Sequence, residues 1–250
     1  MTEEVWVVRS GRVPYAYARE AQKALESARH AGDVPDMLLL LEHPPVYTKG
    51  RRSTADELPM GESWYRMQGI DVTSTDRGGR VTYHGPGQLV GYPIVSLKAY
   101  GEDVHAYIRR MERVMIDALA SHGVEARCID GLTGVWVSEP QAHDPAAARK
   151  IGSIGVHINR AVTTHGFAIN VSNDLQPFEW IIPCGIDACR MTSLSRELGA
   201  EQELDAFATT VRDRFGEVYG RRPVEVSAAR VSELVDGVGA LVGETPAPVP

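Results

Sequence analysis

The sequence predicts a mixed α/β (α+β) domain in which strands outnumber helices, and three observations carry that reading. Short runs of β-branched, aromatic and aliphatic residues recur between glycine and proline breaks, several in antiparallel-looking pairs. Three longer segments repeat apolar residues every three or four positions, the helical period. With 250 residues, 43% hydrophobic and 24% charged, the chain is long enough to bury a real core and ordinary in composition for a globular protein.

Residues 5–8 (VWVV) read as an opening strand. A helix follows from Pro14 to about His30, with Tyr17, Ala21, Ala24, Leu25 and Ala28 on one stripe, and Gly32, Asp33 and Pro35 end it. Residues 37–41 (MLLLL) form a continuous apolar run of strand length, as expected of a strand covered on both faces. The run leads into EHPPVYTKGRR (42–52), where two prolines exclude helix. Residues 53–69 read as a polar loop with one helical turn, and 70–72 as a short strand.

The segment 77–92, RGGRVTYHGPGQLVGY, holds five glycines and one proline, so its backbone is specialised. It predicts a strand at 81–83 bracketed by two glycine turns, then an apolar strand over 89–95. Asp103 is placed to cap a helix over 104–121 whose buried stripe is Val104, Ile108, Met111, Met115 and Leu119, with Gly123 at its C-terminal cap. Cys128 reads as a buried strand residue, 133–137 as a strand and 138–149 as an exposed hairpin loop. Residues 150–158 pair with 164–171, and a third amphipathic helix covers 201–219. The proline-rich end, 243–250, reads as disordered.

Composition excludes several functions. A net charge of −7 argues against a general nucleic-acid binder. No apolar run approaches the ~20 residues needed to span a membrane, and the acidic start leads straight into a strand, with no signal peptide visible. The three cysteines, Cys128, Cys184 and Cys189, are too few and too odd in number for a disulfide framework, which points to the cytoplasm. The glycine loop lacks the spacing of a dinucleotide fingerprint, and no P-loop is present. Eight histidines include no HxxxH or HExxH, so no metal site is expected.

Among residues able to do chemistry, Cys184 sits in IIPCGI, where proline and glycine take it out of helix and strand. A thiol on such a turn suits a nucleophile, although a cysteine also packs as a small hydrophobe. Lys150 precedes a glycine-containing apolar strand and either meets solvent or points inward. His84, between two glycine turns, is the histidine best placed for a polar role, or a satisfied structural one. Arg77 suits an anion or backbone contact, and Lys49, Arg51, Arg52, Arg77 and Arg80 form a modest positive cluster or a solvated surface.

Four motifs in register, EHPPVYTKGR (42–51), RGGRVTYHGPGQL (77–89), KIGSIGV (150–156) and IPCGI (182–186), resemble the octanoyl-[acyl-carrier-protein]:protein N-octanoyltransferases, also called lipoate–protein ligase B. The likeness covers roughly residues 5–220. The loop 138–149 looks longer than usual for that family, and Gly152 stands where alanine is expected. The resemblance implies the fold of the catalytic domain shared with lipoate and biotin ligases, mixed β-sheets flanked by helices. Residues 1–225 would be a single catalytic domain and 226–250 a C-terminal extension.

It also implies transfer of octanoyl from acyl carrier protein to a lysine of lipoyl domains, in 2-oxoacid dehydrogenase complexes and the glycine cleavage H protein. No ATP, metal or other cofactor, nucleic acid or membrane would be involved. By motif position, Cys184 would be the acyl-forming nucleophile and Lys150 its partner. The acyl pocket would be lined by Arg77, Gly78, Gly79, Arg80, Val81, Thr82, Tyr83 and His84, by Ser153, Ile154 and Gly155, and by Gly166, Phe167 and Ala168.

Overall fold

The leucine-rich run is the inner strand of a nine-stranded mixed sheet in the computed structural model, which describes residues 3–101, 103–138, 148–182 and 190–242. In spatial order the strands are β12 (Arg222–Glu225), β1 (Glu4–Arg12), β2 (Asp36–Glu42), β6 (Gln88–Ile94), β10 (Val162–Asn170), β9 (Arg149–Asn159), β8 (Leu132–Val137) and β7 (Arg127–Ile129). The two-residue β11 (Arg190–Met191) joins β9 in parallel. β1 runs parallel to β12 and β2, and every later neighbour along the main path is antiparallel. A second sheet places β3 (Val46–Lys49) between β4 (Asp71–Ser74) and β5 (Thr82–His84).

The helices α1 (Tyr15–Ala31), α2 (Glu62–Met67), α3 (Val104–Ser121), α4 (Gln176–Glu179), α5 (Leu194–Leu198), α6 (Leu204–Tyr219) and α7 (Ala228–Ser232) cover these sheets. Leu38 and Leu40 join the core under α3 and α6, while Leu39 and Leu41 face the α1 side. That division is why β2 carries no polar alternation. Val231, Val235, Val238 and Leu241, from α7 and the turns after it, complete the α1-side core.

α3 has the expected boundaries, and its Asp103 cap accepts hydrogen bonds from the His105 and Ala106 amides at 2.8 and 3.3 Å. Its buried stripe begins one turn later than expected, at Tyr107, because Val104 in the first turn is 41% exposed. Cys128 lies on β7 as expected but is half-buried rather than buried. The stretch 53–69 is more ordered than a loop: a 3-10 turn (Ala55–Glu57) and α2 bring Leu58 and Tyr65 against Tyr47 and Phe178 beneath the second sheet. Arg149, assigned to a loop from sequence, already belongs to β9, whereas 139–147, 183–189 and 243–250 lie outside the described residues.

Candidate active site

Glycines let three backbones meet where the two sheets approach. Gly166 on β10 pairs with Gly155 on β9. A Cβ on Gly166 would sit 2.2 Å from the Gly91 carbonyl oxygen, and one on Gly155 would sit 3.0 Å from that of Gly78. The Gly78 amide in turn donates to the Val156 carbonyl at 2.8 Å. The 49–52 turn is laced to the same loop, with the Arg51 and Arg52 amides donating to the Arg77 and Gly79 carbonyls at 3.0 Å each. Arg77 braces the junction from inside: its Nε donates to Thr48 Oγ1 at 3.1 Å, Nη2 to the Thr48 carbonyl at 2.5 Å and Nη1 to the Gly78 carbonyl at 2.9 Å. Of its two sequence readings, the backbone contact is the one these bonds describe.

A cavity of about 240 Å³ opens at this junction. Arg77, Gly79, Arg80, Val81, Thr82 and His84 line it from one side, Lys150, Ser153, Ile154 and Gly155 from β9, and Gly166, Phe167 and Ala168 from β10. Gly78 and Tyr83 do not. Strand alternation turns Tyr83 to the opposite face of β5, between Tyr47 and Phe178. The cavity also takes Tyr15, Val90, Tyr92, Gly131, Leu132, Thr133, Trp136 and His165, which sequence reasoning missed, and Arg52 from the positive cluster. His165 was within reach, since it adjoins Gly166 on a strand whose pairing was expected. Tyr15 carries no local signal, because only the folding of α1 onto β10 brings it there.

Three buried histidines stand beside two tyrosines at one end of the site. His43 Nδ1 donates to the Val13 carbonyl at 2.6 Å, which leaves Nε2 to accept the Tyr92 hydroxyl at 2.7 Å. His84 Nδ1 donates to Gln88 Oε1 at 2.7 Å, since the Gln88 amide nitrogen is directed to Asn170 Oδ1 at 2.9 Å. Tyr15 stacks on His84 with ring centroids 6.1 Å apart. His165, in the left-handed region at φ +58°, holds Asp76 Oδ1 at 3.0 Å through Nε2.

Burial holds the His43 imidazole down at about 4 despite its bond to Val13, and likewise His165 at about 4 despite the upward pull of Asp76. The unfolded chain would bind these protons near ~6.5, so it carries more protons than the folded protein between those values. Stability is therefore expected to be complete above pH ~6.5 and to fall by a few kcal/mol as the pH drops toward ~4. Urea unfolding midpoints at pH 7 and pH 5 check this; equal midpoints would contradict it.

Lys150 is 4% exposed, and its Nζ lies 5.2 Å from the centre of the Trp136 ring. Room for its side chain comes from Gly134, at φ +114°, where a Cβ would sit 2.9 Å from Lys150 Cε and 2.5 Å from the Gly152 carbonyl oxygen. The buried carboxylate of Glu112 fixes that stretch of β8 by accepting the Gly134 amide at 3.0 Å and Arg109 Nη1 at 2.8 Å. Gly152 itself has a reason to lack a side chain here, since a Cβ would fall 2.9 Å from Met115 Sδ. Cys184 lies outside the described residues, but both flanks of its segment attach beside the cavity. The Ile182 amide donates to the Glu57 carbonyl at 3.1 Å, and Glu57 in turn accepts Arg80 Nη1 at 2.7 Å. On the other flank Met191 pairs with Lys150. Among the described residues no cluster of His, Cys, Asp or Glu could hold a metal ion, and no helix is long and apolar enough to cross a membrane.

Residues 14–216 match the lipoyl protein ligase A/B catalytic domain. The chain is 46% identical over 209 residues to an octanoyltransferase of Solibacter usitatus, covering 84% of this chain and 90% of the relative. It is 45% identical over 221 residues to an octanoyltransferase of Mycolicibacterium smegmatis, covering 88% and 92%. The chain belongs to the octanoyltransferase family of acyltransferases. A bi-partite lipoate protein ligase of Thermoplasma acidophilum superposes with a TM-score of 0.71 over 97% of this chain and 91% of its own, at 15% identity. That likeness concerns the fold alone: the mixed sheets flanked by helices expected from the motifs are those of lipoate protein ligases.

Proposed function

We propose that this octanoyltransferase moves octanoyl from acyl carrier protein to a lysine of lipoyl domains through a thioester on Cys184, with Lys150 as the proton carrier. The placement of Lys150 carries the reading: a buried amine is costly unless it serves a purpose, and this one lines the cavity beside the strand that follows the Cys184 segment. An ammonium close to a cysteine favours the nucleophilic thiolate over the thiol. The thiolate attacks the octanoyl carbonyl, and the carrier's phosphopantetheine sulfur leaves as a thiol with the proton of the Lys150 ammonium, which becomes the neutral amine. The incoming lysine amine then attacks the Cys184 thioester; the Lys150 amine takes its proton, and the cysteine sulfur departs. The first step exchanges one thioester for another and the second forms an amide, which is downhill, so no ATP or metal is required.

Intact mass after mixing the protein with octanoyl-acyl carrier protein tests both half-reactions. The expected product is an octanoyl adduct on Cys184 that disappears when lipoyl domain is added. Octanoylated lipoyl domain without any adduct would mean direct transfer and remove the nucleophile role. The acidic partners this chemistry uses would meet Arg52, which lines the cavity, and its neighbour Arg51, both exposed and without a carboxylate partner among the described residues. Arg51→Glu with Arg52→Glu is expected to raise the KM for the carrier about tenfold at low salt and flatten its salt dependence. An unchanged KM and salt dependence would dismiss this docking patch.

A further inference from the structure

We propose that His165 is the gauge of acyl length: its imidazole is the partition that ends the acyl cavity, and its removal lets longer chains in. The inference rests on the octanoyl-transfer reading above and adds the residue that sets chain length. Two distances carry it. A Cβ on Gly134 of β8 would lie 3.4 Å from Lys150 Nζ and 2.5 Å from the Gly152 carbonyl oxygen, so the Lys150 amine, the reacting end of the cavity on that reading, lies level with Gly152 on β9. His165 stands on β10 opposite Val156. From Gly152 to Val156 is four residues, or about 13 Å of strand. An octanoyl chain has seven C–C bonds that each advance about 1.3 Å along an extended zig-zag, so it spans about 9 Å, and the thioester C–S bond and the van der Waals radius of the terminal methyl take up most of the rest. The methyl end of an eight-carbon chain therefore arrives at His165.

What lies beyond that ring is open. His165 lines the acyl cavity and also a second cleft of about 310 Å³, walled by Arg19, Gln22, Lys23, Asp76 and His157. That cleft is polar, so it offers an alkyl chain little, and the imidazole between the two spaces is what separates them. The ring is held from several sides. Its backbone amide donates to Gln22 Oε1 at 2.6 Å, Nε2 bonds Asp76 at 3.0 Å, Nδ1 faces the Tyr15 hydroxyl at 3.5 Å, and Tyr92 meets it edge-on at 6.4 Å. A partition braced in this way does not swing aside for two more methylenes.

The test uses the full chain with octanoyl-, decanoyl- and dodecanoyl-acyl carrier protein and a lipoyl domain. His165→Gly and His165→Asn are the informative variants, because glycine and asparagine accept a backbone at φ +58° that alanine resists. The ratio of kcat/KM for dodecanoyl over octanoyl is expected to rise at least tenfold in His165→Gly, mainly through KM, and by less in His165→Asn. Free dodecanoate, measured by calorimetry without any transfer, is expected to bind His165→Gly more tightly than wild type relative to octanoate. An unchanged length ratio in a folded variant that still transfers octanoyl would overturn the gauge; should the glycine variant not fold, the asparagine variant decides. Failure of the wild type to transfer octanoyl at all would overturn the reading on which the gauge rests.

Discussion

Lys150→Met is expected to lower octanoyl transfer by roughly 10²–10⁴-fold, the range a positioned proton carrier contributes. Methionine matches the unbranched shape of the buried lysine stem and keeps contact with the Trp136 ring and the bare backbone of Gly134. Burial also favours an uncharged side chain at this position, so the thermal midpoint should hold or rise. The pairing of large kinetic loss with intact stability is what separates a catalytic role from a structural one. Lys150→Arg should not rescue the activity, because a guanidinium does not give up its proton. Steady-state transfer and a melting curve on the same preparations check this. Turnover above a tenth of wild type in Lys150→Met would dismiss its proton-carrying role.

Gly166→Ala is expected to destabilise the fold strongly with a single added methyl. The added carbon would lie 2.2 Å from the Gly91 carbonyl oxygen and 2.6 Å from Pro93 Cδ, both on the neighbouring strand β6. Neither is the end of a flexible side chain, so the clash can be relieved only by parting β6 from β10 near the middle of the main sheet. Parting them breaks ladder bonds around the Phe167–Gly91 and Ala168–Val90 pairs. Overpacking of this kind costs 1–3 kcal/mol where side chains can move, and a backbone clash should reach or exceed about 3 kcal/mol. For a chain of this size that lowers the melting temperature by roughly 10 °C. Differential scanning calorimetry checks it, and a shift under 2 °C would show that the strands yield more easily than this packing implies.

Much of this architecture is legible along the chain because local physics dictates it. The α3 helix could be read to the residue from an Asp103 cap and its apolar period, and the β9–β10 hairpin from alternation. The motif containing Lys150 and Gly155 marks one cavity wall for the same reason, since glycines where strands must touch leave a visible trace. The continuous leucines of β2 announced a strand with two covered faces, and those faces are the α3–α6 and α1 cores.

Other features depend on groups far apart in sequence, and no local pattern encodes them. Tyr15 and His165 meet across 150 residues, Arg77 finds Thr48 across 29, and the Glu57 carboxylate reaches Arg80 across 23. Each is an ordinary residue for its element until packing excludes water around it, and only then do the hydrogen bonds decide where it points. Whether Tyr83 faces the cavity or the second core was likewise beyond a motif, because a one-residue step on a strand reverses the side. The sequence by itself determined most of the elements, the family and part of the cavity wall. Only the tertiary structure decided which of them face it and which residues distant in sequence join them, because facing is a property of packed surfaces rather than of neighbours along a chain.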